Sequence, residues 1–137
     1  MSAALTLGPG VREAIRAHGA DTYPHECCGA LLGREGMVLE AWPLPNTTEE
    51  GPRQRFLVRP VDYRAAEARA GEQGLELLGF YHSHPDHPAR PSQYDLDHAW
   101  PVFSYVIISV TDGCPEAITS WRLADDRSTF EQEALTF

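Results

Sequence analysis

Apolar residues along this 137-residue chain fall into short blocks whose spacing switches between helical and extended. Val11, Ala14, Ile15 and His18 follow the i, i+3, i+4, i+7 rule of one helix face. Pro9 precedes them and Gly19 follows, so a short amphipathic helix is predicted from about Pro9 to His18. Cys28 to Gly33 reads as a short buried strand, Arg34-Glu35-Gly36 as a hairpin turn, and Met37 to Trp42 as the returning strand. Pro43 to Arg55 has the Pro, Asn, Thr, Glu and Gly content of a loop, and Phe56-Leu57-Val58 reads as another short strand. Pro60 to Ala70 carries helix formers, with Gly71 and Gly74 past its end. Leu75 to His84 is an apolar run read as a buried strand, and Pro85 to Pro91 is a Pro-stiffened loop. One or two helical turns are predicted over Ser92 to Trp100. Strands follow at Tyr105–Val110, Ala117–Leu123 and Phe130–Phe137, the first two joined by a turn at Thr111-Asp112-Gly113. This alternation predicts an α/β fold, a mixed sheet flanked by helices, in a single domain over residues 1–137.

The chemistry concentrates where the apolar run ends. His82 and His84 stand two apart on a predicted strand, so their side chains share a face and reach one point in space. Asp95 arrives from the far side of the Pro-rich loop. Two imidazoles and a carboxylate suit Zn²⁺, and three protein ligands leave a fourth position for water, as a catalytic zinc requires. Such a site needs a base that does not itself bind the metal. Glu26, just ahead of the strand from Cys28, is the candidate.

Composition narrows the partners. Acidic residues outnumber basic ones 20 to 11, for a net charge of −9, which disfavours nucleic acid. All 11 basic residues are Arg, so the chain offers no lysine amine for an isopeptide bond. No apolar stretch has the length of a membrane span, and the first ten residues lack a signal-peptide pattern, so a cytoplasmic protein is expected. The three cysteines, Cys27, Cys28 and Cys114, are expected to be reduced and buried.

Two elements, Pro24-x-Glu26-x-Cys28-Gly29-x-Leu31-Leu32-Gly33 and Gly79-Phe80-Tyr81-His82-Ser83-His84 followed after seven residues by Ser92-x-x-Asp95, together resemble the JAMM (MPN-plus) metalloproteases of compact prokaryotic type. The resemblance covers about half of the chain, and its spacing His-x-His-x7-Ser-x2-Asp is complete. It implies the JAMM/MPN fold, related to the cytidine deaminases, with Zn²⁺ on His82, His84 and Asp95, Glu26 as general base, and Ser92 stabilising the oxyanion. It further implies a zinc-dependent peptidase or isopeptidase that cuts after the Gly-Gly tail of a ubiquitin-like or sulfur-carrier protein. The loops Pro43–Arg55 and Pro85–Pro91 would wall the groove for that tail.

Each residue also has a plainer reading. Ser92-x-x-Asp95 alone reads as a helix N-cap, a lone His82 or His84 as an ordinary histidine, and a lone Glu26 as a solvated carboxylate. Ser83 points away from the histidines and is read as structural. His25, His87 and His98 are read as bystanders, His18 as the end of its helix stripe, and Asp86 as exposed. Trp42, Phe56, Phe80, Trp100, Phe103 and Trp121 are read as core. Rival functions are a non-catalytic MPN-type scaffold, a zinc hydrolase of another substrate (a deaminase-like one lacks its Pro-Cys-x-x-Cys element here), and a cysteine peptidase.

Overall fold

The computed structural model describes residues 4–45 and 59–137. Among these, seven strands and three helices follow one another: β1 (Ala4–Leu7), α1 (Val11–Thr22), β2 (Cys28–Arg34), β3 (Met37–Leu44), α2 (Pro60–Glu72), β4 (Glu76–Pro85), α3 (Gln93–Asp97), β5 (Ser104–Thr111), β6 (Cys114–Leu123) and β7 (Phe130–Thr136). The expected strand at 56–58 and the 46–55 part of the expected loop lie outside the described residues.

The sheet is mixed, as the alternation of elements predicts, and it closes on itself in the order β1-β3-β2-β4-β5-β6-β7. Closure depends on β1, a strand the hydrophobic pattern does not announce. Its four residues pair in parallel with β3 at Thr6–Met37 and with β7 from Ala4–Ala134 to Thr6–Thr136. β2 and β3 form the predicted hairpin, and Glu35 and Gly36 both take positive φ, 53° and 76°, the backbone a tight two-residue turn of matching twist requires. β3 runs two residues beyond its predicted end, to Leu44. Among the described residues β1 covers only Met37 and Val38 of it, so the far half is a sheet edge, where Pro43 loses no ladder bond.

β4 lies between β2, antiparallel, and β5, parallel. Buried on both faces, β4 and β5 read as continuous apolar runs rather than as alternations. One face of the sheet packs Leu31, Tyr81, Val106, Ile108 and Val110 against Val11 and Ile15 of α1. The other packs Ala30, Leu32, Phe80 and Tyr105 against Ala66 and Ala70 of α2. α1 does not stop at Gly19 but continues to Thr22, because Gly19 is where the helix touches the sheet. A Cβ there would stand 3.0 Å from Val110 Cγ2.

Candidate metal centre

Alternation along β4 sorts its side chains. Tyr81 packs in the α1 core and Phe80 in the α2 core, so His82 and His84 emerge on the face of Phe80, and Ser83 on that of Tyr81. Both histidines are buried. Asp95 reaches them from α3. Ser92 is the N-cap of that helix: its Oγ accepts the Asp95 N–H at 3.0 Å, while Asp95 Oδ2 accepts the Ser92 N–H at 2.8 Å. This reciprocal cap fixes the direction in which the Asp95 carboxylate points.

The outcome is a triangle. His82 Nε2 and His84 Nε2 stand 3.1 Å apart, and Asp95 Oδ2 lies 3.3 Å from the first and 3.2 Å from the second. His84 Nδ1 faces the Pro88 carbonyl at 2.9 Å. A carbonyl only accepts, so the hydrogen of the neutral ring is on Nδ1 and the Nε2 lone pair faces the centre. Ligands set tetrahedrally at roughly 2.0–2.1 Å from a metal ion stand about 3.3–3.4 Å apart, close to the three edges seen here. The donor set and its spacing therefore fit a tetrahedral metal ion with one corner left over.

Glu26 is buried, two residues ahead of Cys28, which is in register with His82. Its carboxylate and the His82 and His84 nitrogens lie within 4.8 Å of one another, a second grouping able to hold a metal ion. The structure thus brings together His82, His84, Asp95 and Glu26. Ser92 stands at the rim, exposed, with its hydroxyl hydrogen still available.

The three groups of the triangle shift one another's protonation in different directions. Burial lowers the pKa of His82 below the ordinary histidine value, against the pull of Asp95. At His84 burial acts the same way, but the adjacent Asp95 carboxylate outweighs it and the ring is raised. Burial alone would raise Asp95. The charge of His82 beside it, the nearness of His84 and the hydrogen bond from the Ser92 N–H overcome it and hold the carboxyl well below the usual range.

The loop from Asp86 to Pro91 is pinned, which the sequence does not reveal. Asp86, at φ 58°, accepts from the Tyr23 hydroxyl at 2.7 Å and from the Asp112 N–H at 2.9 Å. Ser109 Oγ donates to the His87 carbonyl and Thr119 Oγ1 to that of Ala89, each at 2.7 Å. Asp86 is therefore a tether, although exposed; an Asp directly after a ligand strand, able to take positive φ, is the one local signal. His25 and His87 are exposed; His98 turns back to the Tyr94 carbonyl, and Asp97 accepts from Gln93. His18 lies within α1 and contacts the Tyr81 hydroxyl at 2.7 Å. Of the aromatic residues, Phe80 and Phe103 are buried, Trp42, Trp100 and Trp121 half-buried, and Phe56 lies outside the described residues.

Cys27 and Cys28 are buried free thiols, and burial pushes their pKa values to about 11 and about 12. Neither has the thiolate character of a nucleophile. Cys114 is free but exposed, contrary to expectation, because it opens β6 at the Asp112-Gly113 turn.

Residues 9–124 match the family described as prokaryotic homologs of the JAB domain. The chain belongs to this prokaryotic JAB family. Its fold is accordingly the JAMM/MPN fold. Among relatives, a probable TtuB-protein conjugate cleaving protease of Thermus thermophilus is 40% identical over 80% of this chain and 72% of its own length. A CysO-cysteine peptidase of Mycobacterium tuberculosis is 32% identical over 93% of this chain and 88% of its own. A solution structure of a protein from Salinibacter ruber is 47% identical, covers 96% of this chain and 90% of that one, and superposes with a TM-score of 0.74. The prokaryotic JAB chain also matches tail tip assembly protein K of Escherichia phage N15, but spans only 31% of that protein's length.

Proposed function

We propose that this protein is a zinc-dependent peptidase that hydrolyses conjugates of a small ubiquitin-fold or sulfur-carrier protein, cutting after the carrier's C-terminal Gly-Gly tail. The observation that carries the reading is the triangle of His82 Nε2, His84 Nε2 and Asp95 Oδ2, with edges of 3.1–3.3 Å and a buried glutamate beside it. When bound there, zinc supplies Lewis acidity and brings the pKa of a bound water to about 7.

The chain's own groups do the rest. Glu26 accepts the proton of the attacking water and delivers it to the departing amine. Ser92, whose oxygen accepts the Asp95 N–H, keeps its hydroxyl hydrogen to donate to the oxygen of the scissile carbonyl. The edge of β3, unpaired beyond Val38 among the described residues, suits an extended tail added as one more strand. Leu44 on that edge is in register with Cys28, and Cys28 with His82, so a tail laid along it runs to the histidines. The names of relatives that cleave TtuB conjugates or CysO-cysteine support the substrate class. Among the described residues no helix is long and apolar enough to cross a membrane, and we place the reaction in the cytoplasm.

The test is elemental analysis paired with Glu26→Gln. One zinc per chain in both proteins, with cleavage of a carrier conjugate lost only in the variant, is expected. Cleavage by the variant at the parental rate rules out Glu26 as the base.

A further inference from the structure

Three consecutive carbonyls of the loop after β4 are each met by a different side chain. Ser109 Oγ donates to the His87 carbonyl at 2.7 Å, His84 Nδ1 faces the Pro88 carbonyl at 2.9 Å, and Thr119 Oγ1 donates to the Ala89 carbonyl at 2.7 Å. The middle contact sets the tautomer of a metal ligand, while the outer two have no part in the reaction proposed above. Both hydroxyls stand where the sheet register aims them. Ser109 on β5 is in register with His84, and Thr119 on β6 with Ile107, itself in register with His82. The β5–β6 ladder slips between Ile108 and Val110, at Ser109 itself, a bulge of the kind that re-aims a side chain beside a functional site. Ser109 is also a buried hydroxyl that interrupts the apolar run of Val106, Ile107, Ile108 and Val110. Trp121 Nε1 donates to Thr119 Oγ1 at 2.8 Å, which leaves that hydroxyl's own hydrogen for the Ala89 carbonyl.

We propose that Ser109 and Thr119 are positioning residues of the metal centre, acting on it through the Pro88 carbonyl and His84. The inference rests on the metal-centre reading and concerns residues outside that centre. A carbonyl points where its peptide plane points, and successive planes are linked only through φ and ψ. The proline ring fixes φ at Pro88, and the two hydroxyls hold the carbonyls before and after it. The Pro88 carbonyl therefore has little freedom to turn. Its two lone pairs meet His84 Nδ1 and, at 2.8 Å, the Arg90 N–H. While that carbonyl stays in place, the ring hydrogen stays on Nδ1, and Nε2 keeps its lone pair toward His82 and Asp95. Loss of either hydroxyl lets the loop peptides turn. The ring then loses its acceptor, and the hydrogen is free to move to Nε2, the ligand atom. Neither hydroxyl is itself a metal ligand.

The first readout is the zinc affinity of the full chain, by chelator competition. Ser109→Ala and Thr119→Val should each weaken zinc binding about tenfold or more, the usual weight of a group that orients a ligand. Thr119→Ser keeps the hydroxyl and should bind zinc as the parent does. Ser120→Ala is the control for a merely structural hydroxyl. Ser120 Oγ donates to Glu133 at 2.6 Å on the opposite face of β6, so its loss should lower stability and leave zinc affinity unchanged. The second readout is the His84 Nδ1–H proton resonance of the zinc-loaded chain. Its exchange with solvent should be about tenfold faster in Ser109→Ala and Thr119→Val than in the parent, and no faster in Ser120→Ala. An unchanged zinc affinity in Ser109→Ala or Thr119→Val, or an equal loss in Ser120→Ala, overturns the proposal and leaves the metal centre standing. A parent protein that takes up no zinc overturns both.

Discussion

Strand β4 buries polar groups on both of its faces, and the two faces differ in how those groups meet. On the α1 side, donors meet acceptors. Ser83 Oγ accepts the Cys27 N–H at 2.8 Å, and the Tyr81 hydroxyl pairs with His18 Nδ1 at 2.7 Å. On the α2 side, two imidazole nitrogens and a carboxylate oxygen converge within 3.3 Å, and His84, whose Nδ1 hydrogen goes to the Pro88 carbonyl, turns a lone pair toward the other two. A buried polar group is ordinarily satisfied by hydrogen bonding, as on the first face. Electron-rich acceptor atoms packed this closely are stabilised by a positive charge between them. Burial of polar atoms thus marks structure on one side of a strand and chemistry on the other, and the polarity of the partners tells the two apart.

Substitutions on the two faces should separate accordingly, most severely on the metal side. Asp95→Ala removes one corner of the triangle and the return bond to the Ser92 N–H; zinc content should fall below a tenth per chain and peptidase activity below detection, read by elemental analysis and conjugate cleavage. Glu26→Gln should keep the metal and lower kcat by about 10²–10⁴-fold, the usual weight of a general base. Ser92→Ala should lower kcat by about 10²-fold or more with metal content unchanged, since one oxyanion donor is lost. On the α1 face, Ser83→Ala leaves the Cys27 N–H without its acceptor and should cost about 1–3 kcal/mol in urea unfolding, with kcat per folded molecule within a factor of two. Smallest of all, a thiol reagent at neutral pH should label Cys114 alone in the folded protein, and Cys27 and Cys28 only after unfolding, because burial holds their pKa values near 11 and 12.

Much of this contrast is legible in the chain. The period of two places His82 and His84 on one face and Ser83 on the other, and the spacing to Asp95 needs only the short loop and a capped helical turn. Helix α2 and the β2–β3 hairpin are announced by local turn and cap residues. What escapes the sequence is non-local. β1 is four residues long, and its partners lie some thirty positions away in β3 and at the far end in β7. Gly19 carries the signature of a helix stop, yet serves as a contact with Val110. The tether of Asp86 to Tyr23 and Asp112 depends on registers that only the folded sheet sets.

X-ray absorption at the zinc edge of the purified protein addresses the metal-side triangle most directly. The predicted spectrum has one zinc per chain, bound by two imidazole nitrogens and carboxylate or water oxygens at about 2.0–2.1 Å. A sulfur shell at about 2.3 Å, or a protein that takes up no stoichiometric zinc, would contradict it.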